Sequence, residues 1–294
     1  MTQTLQYCID AISLGSLYAL LALGIGFIFG VARVVNFAHG EFIMVAAYVL
    51  LIVASWAWPL AILVVALATM FLAVASERLI FRPARGSDPS TLLALSLGLS
   101  LLLQNIVLLI AGSRAKTLNF GSWLTKPAEI FGLRIARLDI VTIVVTVALL
   151  VGLGAFLRRT LIGLQLRAAS EDFSMARLLG VRANRVVATA FALSGLLAAI
   201  SGVLIASQSG SLTPTIGITP VLIAFTATVI GGMGSLSGSI VGGFVLGTFT
   251  VFLQVVLPES AIPYRESMVF AGVIAILLFR PGGIIPATNA AERI

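Results

Sequence analysis

Apolar runs close to twenty residues long recur along this chain with few charges inside them, and that feature removes most folds from consideration. Stretches such as 60–75 are almost continuously apolar, not alternating. In lipid every backbone N–H and C=O must be satisfied within the protein, so only helices or a closed barrel can span. A barrel strand alternates its two faces, which these runs do not. With 60% hydrophobic and 10% charged residues and a mean hydropathy of +1.14, the chain reads as an all-α polytopic membrane protein. It is expected to be a single membrane domain over 1–294, which leaves no room for a soluble domain of ordinary size.

Apolar segments fall near 9–32, 41–57, 58–80, 90–112, 138–157, 186–206, 219–232, 238–257 and 267–279. They predict eight or nine transmembrane helices, with a broken or re-entrant element around 231–238. The net charge of +7 is not a nucleic-acid signature. There are only two lysines, and the basic residues sit at the ends of apolar runs, where they orient helices. If 33–41, 78–89, 158–185 and the tail from 280 are cytoplasmic, they hold twelve of the eighteen Lys/Arg. Arg114, Lys116, Lys126, Arg134, Arg137 and Arg265 then face the other side. The bias predicts an N-terminus outside and a C-terminus inside. No basic residue precedes Arg33 and no cleavage region follows, so no secretory signal peptide is expected. Cys8 is alone, which excludes an intrachain disulfide and a cysteine metal site.

The glycines of the first segment (Gly15, Gly24, Gly26, Gly30) follow no strand, so they are no phosphate fingerprint. Small residues of this kind let helices approach closely in lipid. Residues 113–137 form the main external loop. Asn119–Ser122 and Phe131-Gly132 carry turn chemistry, and Leu133–Arg137 alternates like a strand, which predicts a small hairpin.

Three polar passages could carry function. Asn36-Phe37-Ala38-His39-Gly40-Glu41 interrupts an apolar region and holds the only histidine. Ionisable groups at membrane depth usually face a cavity, a partner or a pathway, and broken helices recur at transport sites. The structural alternative is a tight turn at the cytoplasmic interface, with Glu41 favoured by the positive end of the next helix. One His and one Glu cannot make a metal coordination sphere. The second passage, Ile230–Gly238, breaks a helix with Gly231, Gly232 and Gly234. No lysine follows it and no Walker pattern exists, so ATP would have to be bound by another chain. The third, Arg158–Arg185, is the longest polar stretch and carries six basic residues. Ser170 is expected to cap a short helix with Glu171 and Asp172 in its first turn, Arg177 in its last and a stop at Gly180. Phe173, Ala176 and Leu179 would form its apolar stripe, which could lie on lipid, pack beneath the bundle or enter a partner's groove. The tail Arg280–Gly283 reads as a membrane exit. No Ser/His/Asp set, paired acids or metal cluster supports an enzyme. An ion-coupled carrier using Glu41 and His39 is the competing reading.

Asn36–Phe42, the Arg167–Gly180 loop, Gly231–Ser235, and Tyr264-Arg265-Glu266 leading into Leu278–Gly283 occur in this order. Together they resemble the branched-chain amino acid permease family of ABC importers, the shorter of its two permease types. The resemblance implies a permease subunit in a bacterial inner membrane, paired with a second permease, two cytoplasmic ATPase subunits and a periplasmic solute-binding protein. ATP and Mg would sit on the ATPases, with no cofactor in this chain. The loop 158–185 would be the coupling segment, with Arg167, Ser170, Glu171, Asp172, Phe173, Ala176, Arg177 and Gly180 contacting the ATPase or shaping the contact. Asn36, His39, Glu41, Gly231, Gly232 and Gly234 would line the substrate pathway. Relatives of this kind carry branched-chain or other amino acids, urea or short amides.

Overall fold

The computed structural model describes residues 2–121, 127–130 and 133–285. The turn expected at Phe131-Gly132, together with Ser122 and Lys126, lies outside the described residues. The helices are α1 (Thr2–Ala32), α2 (His39–Val53), α3 (Trp58–Ser76), α4 (Pro89–Ala111), α5 (Arg137–Arg159), α6 (Leu161–Glu171), α7 (Phe173–Leu178), α8 (Ala183–Ser209), α9 (Ile218–Gly231), α10 (Leu236–Val256) and α11 (Arg265–Phe279). A π turn, Glu77–Phe81, extends α3, and a 3-10 turn, Glu259–Tyr264, leads into α11. Among the described residues, seven helices are long and apolar enough to cross a membrane: α1, α3 with its extension, α4, α5, α8, α10, and α11 with its lead-in. The remaining two apolar segments form α2, of 15 residues, and α9, of 14. At 1.5 Å per residue each is about 22 Å long, short of the roughly 30 Å of a bilayer core.

The chain divides into two compact units. One comprises Phe27–Gly121 and Gly154–Leu222. Here α2, α3 and α8 pack against one another, and glycines set the spacing. A Cβ on Gly202 of α8 would lie 2.7 Å from the Ala46 Cβ of α2, and one on Gly195 would lie 2.8 Å from the Ala73 Cβ of α3. Around these contacts Met44, Ala47 and Leu50 form a core with Val65 and Ala199. After α4 and α8 the chain makes short antiparallel strands, β1 (Lys116–Thr117) with β4 (Ser211–Leu212). The intervening strands β2 (Pro127–Ile130) and β3 (Leu133–Ala136) belong to the other unit and pair antiparallel, Pro127 opposite Ala136, so the strand expected from Leu133 is present.

That other unit comprises Met1–Gly26, Ser122–Leu153 and Ile223–Ile294. Helix α10 lies directly on α1, since Gly243 would collide with the Ala19 backbone and Gly247 with that of Gly15 if either carried a Cβ. The Thr228 hydroxyl donates to the Ala22 carbonyl at 3.0 Å, and the Ser13 hydroxyl donates to Asp139 at 2.9 Å. A Gly272 Cβ would meet the Phe249 ring at 2.6 Å. Small residues therefore permit close approach, as their spacing suggested.

Candidate functional site

The segment between α1 and α2 is built by local chemistry. Arg33 leaves α1 at φ 55, the one non-glycine residue at positive φ among those described. The Asn36 Oδ1 accepts from the Ala38 N–H at 3.1 Å, closing the turn that starts α2, where Ala38 itself supplies no side-chain cap. Glu41 falls in the first turn, as expected.

The depth of this turn is not the expected one. The His39 ring Nδ1 lies 3.1 Å from the Ser194 hydroxyl, and Ser194 is near the middle of α8, between Ala183 and Ser209. Glu41 Oε1 accepts from the Ser100 hydroxyl at 3.0 Å, and Ser100 is near the middle of α4, between Pro89 and Ala111. Two spanning helices thus independently place His39 and Glu41 at mid-span. The expectation of an interfacial cytoplasmic turn is corrected: the turn lies beside the middles of α4 and α8, and α2 is a short helix that begins among them. Its start touches the start of α9, since a Cβ on Gly40 would collide with the Gly217 carbonyl and one on Gly217 with the Gly40 carbonyl.

Asn36, His39 and Glu41 are 0%, 0% and 3% exposed. Each keeps one polar atom with no hydrogen-bond partner among the described residues: Asn36 Nδ2, His39 Nε2 and Glu41 Oε2. The Tyr48 hydroxyl and the Ser201 hydroxyl are in the same condition. Tyr48 follows Glu41 by seven residues on α2, and Ser201 follows Ser194 by seven on α8, so each pair shares a helix face. Leaving a buried donor or acceptor unmade costs about 1–3 kcal/mol, more for a charged group. The unmatched atoms include an amide donor on Asn36, a carboxylate acceptor on Glu41 and hydroxyls further along the two helices. Among the described residues no three His, Cys, Asp or Glu side chains group as a metal site. Ser100, Ser194, Tyr48 and Ser201 were not singled out from the sequence, although the seven-residue spacing of polar groups in apolar helices was there to read.

The glycine-rich stretch belongs to the other unit and is a packing joint. Gly231 faces the Gly238 carbonyl and Gly232 the Ile285 carbonyl so closely that neither has room for a Cβ. Gly232 and Gly234 sit at φ 114 and 92, conformations that favour glycine. The tail does more than leave the membrane: Ile284 N–H donates to the Ile230 carbonyl at 2.8 Å and Ile285 N–H to that of Gly231 at 2.9 Å.

In the polar loop, Ser170 is not a cap. Thr160 caps α6 by accepting from Gly163 N–H at 3.0 Å, and Ser170 lies in the last turn of α6, donating to the Arg167 carbonyl. Glu171 is the final residue of α6. Asp172 caps α7, accepting from Met175 N–H at 2.9 Å, because α6 continues on its buried face of Gly163, Leu166 and Ala169 through the position where Ser170 would have stopped it. Gly180, at φ 88, ends the element as expected. The expected stripe is split: Ala176 is buried and Phe173 half-buried, whereas Leu179 joins Met175 and Leu178 on an outer face, at 78%, 53% and 83% exposure. The loop is tied to the site's lead-in, since Arg33 Nη2 donates to the Ser170 carbonyl at 3.3 Å.

The family described as branched-chain amino acid transport system / permease component matches residues 7–279. The high-affinity branched-chain amino acid transport system permease protein BraD of Pseudomonas aeruginosa is 34% identical over 295 residues, 96% of this chain and 95% of that one. LivH of Escherichia coli strain K12, which bears the same description, is 34% identical over 300 residues with the same coverage. A probable LivH of Methanocaldococcus jannaschii is 27% identical over 93% of this chain and 90% of its own length. A chain of PsaBC from Streptococcus pneumoniae, solved in complex with Fab, aligns over 93% of this chain and 90% of its own at TM-score 0.49 and 14% identity, too slight a likeness to inform the site. Seven apolar helices and a match over nearly the whole length make this chain a multi-pass membrane protein that belongs to the branched-chain amino acid transport permease family.

Proposed function

We propose that the chain is the permease subunit of an ATP-driven ABC importer carrying branched-chain or closely related amino acids from periplasm to cytoplasm across a bacterial inner membrane. The observation that carries this reading is the 34% identity to a branched-chain amino acid permease over 96% of the chain. Asn36, His39 and Glu41, buried beside the middles of α8 and α4, are in this reading the residues that meet the cargo. In this reading the N-terminus is outside and the C-terminus inside, and this chain performs no catalysis. A second permease completes the pathway, a periplasmic solute-binding protein delivers cargo, and two cytoplasmic ATPase subunits hold ATP and Mg.

Within that frame Glu41 accepts from the cargo's ammonium group through Oε2, while Asn36 Nδ2 and His39 Nε2 address its polar end. Gly231, Gly232 and Gly234 shape a close-packed joint within their own unit. The coupling element is α6–α7. Asp172 and Gly180 bound α7, Arg167, Ser170 and Glu171 form its approach, and Phe173 and Ala176 hold it to the bundle. Arg177 shares their face, and Met175, Leu178 and Leu179 meet the ATPase. The Arg33–Ser170 contact gives α7 a mechanical route to Asn36. The test is leucine uptake by the full complex in proteoliposomes. Uptake that needs internal ATP and the binding protein, and survives collapse of the proton gradient, supports the reading. Uptake driven by a proton gradient without ATP would establish the ion-coupled carrier instead, and urea or short amides outcompeting leucine would reassign the cargo.

A further inference from the structure

A cavity of about 560 Å³ opens where the end of α1, the π turn, the start of α4, α7 and the start of α8 come together. Four arginines line it, Arg33, Arg82, Arg85 and Arg177, and no acidic residue does. Only one of the four is neutralised. Arg85 pairs with the buried Glu77 and also donates to Asn184 at 2.6 Å. Arg33 meets a neutral carbonyl. Arg82 acts on the same Glu77 at longer range, so that one buried carboxylate faces two of the cavity's guanidinium groups. Opposite these charges the wall is apolar, with Leu92, Phe173 and the Phe81–Phe191 pair, whose rings stand 5.2 Å apart.

Uncompensated guanidinium groups beside an apolar wall suit one ligand chemistry, a phosphate attached to something greasy. The guanidinium fork matches phosphate oxygens, and basic pockets between spanning helices receive anionic lipid headgroups. A free phosphate would leave the aromatic wall unused. An acidic segment of a docking protein would approach α7 from its outer side. Phe173 and Arg177 face the cavity, whereas Met175, Leu178 and Leu179 stand on the opposite side of α7. We infer that this cavity holds the phosphodiester headgroup of an anionic phospholipid, bound by Arg33, Arg82 and Arg177. The lipid braces α7 against the segment leading to Asn36, which makes the membrane's anionic content part of how the loop is held.

The experiment is native mass spectrometry of the full chain released from micelles containing phosphatidylglycerol or phosphatidylcholine. Phosphatidylglycerol should stay bound to the wild type and to an Arg158→Ala/Arg159→Ala control of equal charge. It should fall by about thirtyfold in Arg82→Ala/Arg177→Ala, since each of the two arginines near the headgroup contributes on the order of 1 kcal/mol. Should that variant fail to fold, Arg82→Lys/Arg177→Lys keeps the charge but not the fork, and weakened retention is expected there. Equal retention by wild type and both cavity variants overturns the proposal, as does an equal loss in the control or equal binding of phosphatidylcholine. Displacement by glycerol 3-phosphate would assign the site to a soluble phosphate, and expulsion of lipid on adding the ATPase would assign it to a protein partner; either result also overturns it.

Discussion

Replacing Leu178 and Leu179 by serine on the outer face of α7 separates docking from folding. Both side chains stand clear of the rest of the chain, 83% and 78% exposed, and the helix is held from its other face by Ala176 and Phe173. Substitutions of this kind cost a subunit about 0.5 kcal/mol or less. If the face enters a cleft on an ATPase, both leucines leave water. Burying one is worth roughly 1.5–3 kcal/mol, so the pair contributes about 3–5 kcal/mol to association. At about 1.4 kcal/mol per factor of ten, that is on the order of a hundred- to a thousandfold in affinity. Ordering the side chains offsets part of it, so about a hundredfold is expected. The assay is titration of purified ATPase onto permease in nanodiscs, with thermal melting of the permease alone as control. Unchanged affinity at an unchanged melting point would show that the outer face of α7 is not the docking surface.

Asp172→Ala removes the cap of α7 and should cost about 1 kcal/mol locally, read as faster amide exchange at Met175 with no change in α8. Ser170→Ala, by contrast, should leave that exchange unaltered. Gly202→Leu forces a side chain into the 2.7 Å gap against Ala46 and should destabilise the fold by about 1–3 kcal/mol or more, lowering the melting point in detergent. Gly154→Leu, with nothing within 4 Å, is its control and should melt like the wild type.

Each apolar segment in the sequence lands on a helix because burial in lipid leaves the backbone no other choice. Length, however, is a tertiary outcome. The apolar run after Asn36 could not reveal that α2 starts beside Ser194, because that depth depends on the chain folding back along α8. Asn36–Glu41 was legible as an interruption, whereas Ser100 and Ser194 were not, since a single hydroxyl in an apolar helix reads as packing. Ser170 and Asp172 both cap well and stand two residues apart, so propensity had no way to choose. The buried face of α6 chose Asp172 by carrying that helix through Ser170 and Glu171. The tail misled for a similar reason: Gly283, at φ 81, suits a membrane exit equally well as a turn that lies against Gly232.

Leucine uptake by Glu41→Gln in the assembled complex tests the mid-span site most directly, because glutamine keeps an oxygen for Ser100 and removes only the charge. Loss of a charge-assisted hydrogen bond is worth about 1.5–3 kcal/mol. The account therefore predicts an apparent KM for transport raised about tenfold or more, with ATPase association and melting point unchanged. Uptake kinetics identical to wild type would contradict it and leave Asn36–Glu41 as a structural hinge.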